Sequence, residues 1–188
     1  MFQSVVAPQI GFGVPGELAF EGPLRANAAI LATADPALNV VGRGCSIVSG
    51  AGHSWLAGSA GAADPKPIIA EVGGNGPFAG ILANPKVYPL YGTAAGGPLA
   101  DSMTVPNGIA VELVIEGDIV VILPPCNPGD LVYFDATGVI VTTPHGAAAP
   151  AGSVGPIGSV DRYAVVGGAG LGVIHVTSNS PLADANAV

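Results

Sequence analysis

The stretch IAVELVIEGDIVVILPPCNPGDLVYFDATGVIVTT, residues 109–143, decides the fold class of this chain. Four short runs rich in Val, Ile, Leu, Tyr and Phe alternate with separators made of Gly, Pro, Asp, Asn and Glu. Such separators are typical of turns, because Gly supplies positive φ, Pro presets φ, and Asp or Asn hydrogen-bonds its own backbone. The pattern predicts a β-meander, with strands at 109–115, 119–123, 131–134 and 139–142.

The second of these runs, IVVIL at 119–123, contains no polar residue. A strand with apolar side chains on both faces has to be buried on both faces. We therefore expect other parts of the protein to cover it. Further strands are predicted at 38–48, 65–71, 156–166 and 171–177, and Asn107-Gly108 between two β-rich flanks predicts a hairpin.

The composition of the 188-residue chain favours an all-β protein. It has 29 Gly and 18 Pro, but only 10% charged and 49% hydrophobic residues, so short strands with tight turns are a better interpretation than disorder. Gly and Pro disfavour helix almost everywhere. One window, residues 24–35, lacks both and is Ala-rich, so a short helix or an extended segment is possible there.

The first 36 residues are apolar without a sustained period. A segment of this kind can neither remain as a loose tail in water nor form its own core, which predicts an arm that lies along another surface. We divide the chain into an extended N-terminal arm, 1–36, and a β-body, 37–188. The predicted interface residues are the large apolar side chains of the arm: Phe2, Ile10, Phe12, Val14, Leu18 and Phe20.

Charge and cysteine content exclude several classes of protein. The formal net charge is −8, and the five basic residues form no patch, which opposes binding to nucleic acid. The longest apolar run is too short to span a bilayer, and the N-terminus does not resemble a signal peptide. Cys45 and Cys126 are interpreted as two buried free thiols, with a disulfide as the alternative.

No motif predicts a catalytic, cofactor or metal site. Residues 11–16 match GxGxxG, but Pro15 lies inside the motif and no strand or helix pattern surrounds it. Residues 52–55 begin like a nucleophile elbow, yet Leu56 stands where Gly is required. The three histidines have no ligand-like spacing: His53, His145 and His175.

Several glycine-based segments carry a resemblance to a known family. They are GVPG at 13–16, GPLR at 22–25, NVVGRGC at 39–45, EGDIVV at 116–121, PGDLVY at 128–133 and DATG at 135–138. With these segments the chain resembles the structural cement, or head-decoration, proteins of tailed bacteriophages. The resemblance implies a single β-barrel or jelly-roll-like body, a small homo-oligomer, and attachment to a lattice of major capsid protein. That family has no catalytic residues to transfer, so no enzyme activity is expected.

Two functions remain open at this point. The first is a cement protein on the outer surface of the virion capsid that bridges capsomers. We expect it to form a homo-oligomer, with a trimer favoured over a dimer, and to have an arm that orders only against capsid protein or a neighbouring subunit. The second is a jelly-roll module that binds carbohydrate or a host surface through Trp55, His53, Tyr88 and Tyr91. The low aromatic content, 5%, favours the first.

The charge balance gives a direct prediction. The protein should not be retained on duplex DNA at about 0.15 M ionic strength, because no basic stripe offsets its net charge of −8. A gel-shift assay measures this, with a basic DNA-binding protein of similar size as the positive control. A shifted band at that ionic strength would contradict the prediction.

Overall fold

The computed structural model describes residues 14–19, 23–48, 68–84, 104–162 and 169–177. Within these ranges the chain is nearly all β, as predicted. The elements are β1 (Arg25–Leu31), a single-turn 3-10 helix (Pro36–Leu38), β2 (Gly44–Ile47), β3 (Ile68–Val72), β4 (Phe78–Leu82), β5 (Ala110–Leu123), β6 (Leu131–Phe134), β7 (Ile140–Thr143), β8 (Val154–Arg162) and β9 (Gly170–Val176).

Five of the strands close into a small barrel. The pairs β1–β3, β3–β2, β2–β4, β4–β5 and β5–β1 complete a ring, and only the β1–β3 pair is parallel. One hydrophobic cluster belongs to this barrel: Ala29, Leu31, Val41, Cys45, Ile47, Ala70, Val72, Ala79, Leu82, Val105, Val111 and Leu113. The expected β-barrel body is therefore present, with further strands added to it.

The remaining strands form an antiparallel sheet that shares β5 with the barrel. Its order is β5-β9-β8-β6-β7. The first half of β5 pairs with β1 and β4, and the second half, from Gly117 to Leu123, pairs with β9. One strand of 14 residues therefore belongs to both layers.

The predicted turn at 116–118 is wrong, because β5 continues through it. Gly117 has φ +118°, a backbone conformation that side-chain-bearing residues rarely adopt. A Cβ there would lie 2.8 Å from the carbonyl oxygen of Pro23. The glycine is needed where one strand passes from the barrel into the second sheet, not where two strands reverse direction.

The predicted meander is correct only in its last hairpin. β6 pairs with β7, and the Asp135 carboxylate accepts hydrogen bonds from the amides of Thr137 and Val139 in the turn between them. β5, however, pairs with β9 and not with β6, so residues 124–130 cross between strands that are not neighbours. The error arose because adjacent runs in sequence were taken as adjacent strands.

The Asn107-Gly108 turn forms, but its two flanks pair with different partners. Thr104 forms a bridge with Val40, whereas Ile109 accepts a hydrogen bond from the amide of Leu31 at the end of β1. The predicted hairpin is therefore wrong. The Asn107 amide instead links the two sides, since it accepts from the Thr33 amide and from Asn39 and donates to the Thr33 carbonyl.

Residues 25–31, in the window where a helix was possible, are extended as β1. Alanine favours helix locally, but here β1 is paired with β5 on one side and with β3 on the other. Tertiary pairing has overridden the local preference. The other predicted strands exist with shifted ends, as β2, β3, β8 and β9.

A second hydrophobic core lies between the barrel and the other sheet. Adjacent residues of the β4–β5 pair divide between the two cores: Leu82 and Leu113 belong to the barrel cluster, and Ile81 and Val114 belong to the second cluster. This division follows from the alternation of side chains along a strand. The outer wall of the barrel is thus the floor of the second core.

Glycines join the barrel to the β6–β7 turn. The Gly73 amide donates to the Gly44 carbonyl at 2.8 Å, and the Gly44 amide donates to the Gly138 carbonyl at 2.9 Å. A Cβ on Gly44 would overlap the ring of Phe134, and a Cβ on Gly73 would overlap the Ala136 carbonyl. The two layers approach this closely only because these positions carry no side chain.

Both cysteines are free and buried, as predicted, and they lie in different cores. Burial raises the pKa of Cys45 to about 12. Burial and the nearby Asp130 carboxylate also raise the pKa of Cys126, against an opposing hydrogen bond with Thr142. Because the thiolate is the nucleophile, both thiols are poorly reactive near neutral pH.

The glycine joint predicts a large difference between two alanine substitutions. Gly73 and Gly152 have almost the same φ, +73° and +71°, but nothing lies within 4 Å of a Cβ at Gly152. Gly152→Ala should lower the free energy of unfolding by about 1–2 kcal/mol, from backbone strain alone. Gly73→Ala should cost roughly 1–3 kcal/mol more, because the Ala136 carbonyl has to move.

Chemical denaturation of both variants measures the difference, with Gly152→Ala as the matched control. Equal destabilisation by the two substitutions would show that the joint tolerates a side chain.

Candidate functional site

Residues 14–19, which we name the clasp, pair with the free edge of β5. The Gly16 amide donates to the Val120 carbonyl at 2.8 Å, and the Val120 amide donates to the Glu17 carbonyl at 2.8 Å. The Ala19 amide donates to the Asp118 carbonyl at 2.9 Å, and Leu18 lies antiparallel to Ile119. The clasp thus covers the edge of β5 opposite β9.

A turn at Pro15-Gly16 seats the clasp in a notch of the barrel wall. The Gly16 carbonyl accepts from the Asn84 amide at 2.9 Å, and a Cβ on Gly16 would lie 2.8 Å from the same nitrogen. On the other side, a Cβ on Gly42 would lie 3.0 Å from the Cβ of Pro15. Two of the glycine-based segments that carried the family resemblance, 13–16 and 39–45, therefore meet in space.

The six predicted interface residues fall into three groups. Leu18 is half-buried and packs against the second core of its own chain. Val14 is 38% exposed and stands at the start of the described chain. The other four lie outside the described residues: Phe2, Ile10, Phe12 and Phe20.

The clasp and β1 correct the expected boundary of the arm. Both run antiparallel to β5, the clasp beside 118–120 and β1 beside 110–116. At the start of β1, Arg25 forms an ion pair with Glu116 at 3.6 Å. These parts of the predicted arm are built into the body of their own chain, so the expectation that they order only against another chain is wrong for them.

A cluster of charged side chains ties the edge strands together next to the clasp. Asp118 is only 8% exposed, and its carboxylate lies 2.6 Å from Nδ1 of His175 and 3.3 Å from Nη2 of Arg162. Arg162 also pairs with Asp161 at 2.8 Å. The contacts connect β5, β9 and β8, which gives the cluster a structural role as a cross-strand tie.

This tie was missed from the sequence, where Asp118 was read as a turn residue and His175 as isolated. Asp118 and His175 are 57 residues apart, and only the β5–β9 register places them opposite each other. The period-2 alternation of β5 could have placed Asp118 and Val120 on one face, but not their partners.

The remaining candidate side chains do not form a site that the structure describes. His145 lies in an exposed loop, and His53, Trp55, Tyr88 and Tyr91 lie outside the described residues. In the described ranges no three His, Cys, Asp or Glu residues are arranged to hold a metal ion. No helix among the described residues is long and apolar enough to cross a membrane.

Comparison with known proteins gives one family and one related fold. The family model described as "Structural cement protein (E217 gp24/Pam3 gp6)" matches residues 2–177. The chain belongs to this phage cement family. It is a structural protein of the virion, and the match extends over the clasp, the barrel and the second sheet.

A solved structure supports the fold of this cement protein. A chain from the capsid of Myoviridae phage XM1 superposes with a TM-score of 0.54 at 13% sequence identity, covering 94% of this chain and 97% of the other. No curated protein sequence matches the chain.

The integration of β1 and the clasp predicts different effects for two truncations. Removing residues 1–12 leaves every described contact of the body, so the shortened protein should unfold cooperatively at a temperature close to that of the full chain. Removing residues 1–36 deletes β1 and opens the barrel between β3 and β5. That protein should lose its cooperative transition, because the loss exceeds a typical stability of about 5–15 kcal/mol.

Thermal unfolding followed by near-ultraviolet circular dichroism measures both truncations, and the shorter deletion is the control. A sharp transition in the chain that begins at residue 37 would contradict the assignment of β1 to the barrel.

Proposed function

We propose that this cement protein binds the outer surface of the capsid and stabilises the shell by bridging neighbouring capsomers. The observation that carries the proposal is that the family match begins at residue 2, so it includes the apolar arm together with the body. A body with its own two cores does not need the arm residues that precede the clasp for folding. Those residues are therefore available for another protein.

The arm supplies the proposed contact with the major capsid protein. Burying a Phe or Ile side chain contributes about 1.5–3 kcal/mol. The contact residues that we propose are the apolar side chains outside the core of the body: Phe2, Ile10, Phe12, Val14 and Phe20. Leu18 is left out of this set, because its side chain packs against its own chain.

Bridging requires more than one attachment, and each chain has one N-terminal arm. A homo-oligomer multiplies the arms, and closed symmetry is the usual form of such assemblies. We favour a trimer over a dimer, since three arms reach three capsid subunits. In this role the protein needs no catalytic residue or cofactor. No described residue supports the alternative of a carbohydrate-binding or host-surface-binding module.

The proposal predicts that capsid binding depends on the aromatic side chains of the arm. Phe12→Ala combined with Phe20→Ala should weaken binding to undecorated capsids by about tenfold or more, because two buried rings are lost. The matched control truncates two exposed apolar side chains of the body, Ile122→Ala with Val139→Ala, at residues that are 54% and 41% exposed. The control should bind like the unmodified protein.

Co-sedimentation with undecorated capsids measures the affinity of each variant. Weaker binding by the Ile122/Val139 variant, with full binding by the Phe12/Phe20 variant, would show that the body carries the attachment.

A further inference from the structure

We infer that the clasp is a rigid joint that fixes where and in which direction the arm leaves the body, and that Gly16 and Gly42 are the positioning residues of this joint. The inference rests on the proposed function, because it concerns how the arm is presented to the capsid. It adds a site within the chain, the notch around Pro15-Gly16, to the surface that touches the partner.

Three separate parts of the body hold the joint. Val120 of β5 both accepts from the Gly16 amide and donates to the Glu17 carbonyl, and Asn84, just after β4, donates to the Gly16 carbonyl. Between them, Val41 lies 3.0 Å from a Cβ placed at Gly16, and Gly42 leaves room for the ring of Pro15. Contacts from three directions restrict rotation as well as translation of the turn.

The backbone of the joint requires glycine at both positions. Gly16 and Gly42 have φ of +82° and +81°, in the left-handed region. At the N-terminal end of the turn, the Val14 amide donates to the Glu17 carboxylate at 3.2 Å, so the ordered contacts reach the residue that directly follows the arm. The arm therefore starts from a fixed backbone position rather than from a flexible linker.

A rigid joint changes binding because it removes orientational freedom before the arm meets its partner. A pre-oriented arm loses less entropy on binding, and several arms held at a fixed spacing reach their sites with a higher effective concentration. A flexible joint would keep the contact side chains but would lose this advantage and would transmit less of the arm's attachment to the shell.

The test separates the joint from the arm by inserting Gly-Ser-Gly-Ser between Gly13 and Val14. This insertion keeps every contact side chain of the arm and of the clasp but disconnects their orientations. The matched control places the same four residues between Ala148 and Ala149, in an exposed loop. We expect the first variant to bind undecorated capsids about tenfold more weakly, and to raise the melting temperature of the shell less, while the control behaves like the unmodified protein.

A second pair of variants tests the notch itself. Gly16→Ala and Gly129→Ala both place alanine at positive φ, +82° and +89°, but only Gly16 has neighbours within 4 Å of the new Cβ. Gly16→Ala should speed hydrogen exchange of the Val120 amide and weaken capsid binding, and Gly129→Ala should do neither. Exchange at Val120 reports on the clasp without any capsid.

The outcomes distinguish the two ideas. If the unmodified protein fails to sediment with undecorated capsids, the proposed function is wrong, and the inference falls with it. If the unmodified protein binds and the Gly13/Val14 insertion variant binds equally well, the rigid joint alone is overturned.

Discussion

The structure depends on the pairing of both edges of β5 along its length. In the barrel half its neighbours are β1 and β4, and in the other half they are β9 and the clasp. An unpaired strand edge exposes a row of backbone donors and acceptors, and buried polar groups of this kind need partners. Because β5 belongs to two layers, the segments that pair with it also decide how the layers meet.

The N-terminal region therefore has two roles that cannot be separated by a single cut. Residues 14–31 contain the clasp and β1, which pair with β5, while the apolar residues before them are available for a partner. The clasp makes three backbone hydrogen bonds with β5, and each contributes about 0.5–1.5 kcal/mol net. Ordering six residues costs about 1–2 kcal/mol each, so the packing of Leu18 and the Gly16 notch have to supply the rest.

Local patterns in the sequence predicted which residues form strands better than how the strands pair. The all-apolar run at 119–123 correctly required cover on both faces, and Ile119, Val120 and Val121 are buried. Gly117 was misread because the same residue serves a turn and a bend within one strand. The pairing of Asp118 with His175, the clasp notch and the closure of the barrel depend on contacts between distant residues, which no periodicity records. Of the six predicted interface residues, four lie outside the described residues, so that prediction stays a prediction.

The closed body helps to explain why attachment should be concentrated in the arm. Closing the barrel removes the two strand edges that an open five-stranded sheet would expose, and free edges are sites of unspecific pairing between copies. The net charge of −8 adds repulsion between subunits and between the protein and nucleic acid. A cement protein has to act in many copies at high local concentration on one surface without associating at random. A body that resists association, joined rigidly to one apolar segment, meets that requirement because specificity then rests on the geometry of the joint and on the side chains of the arm.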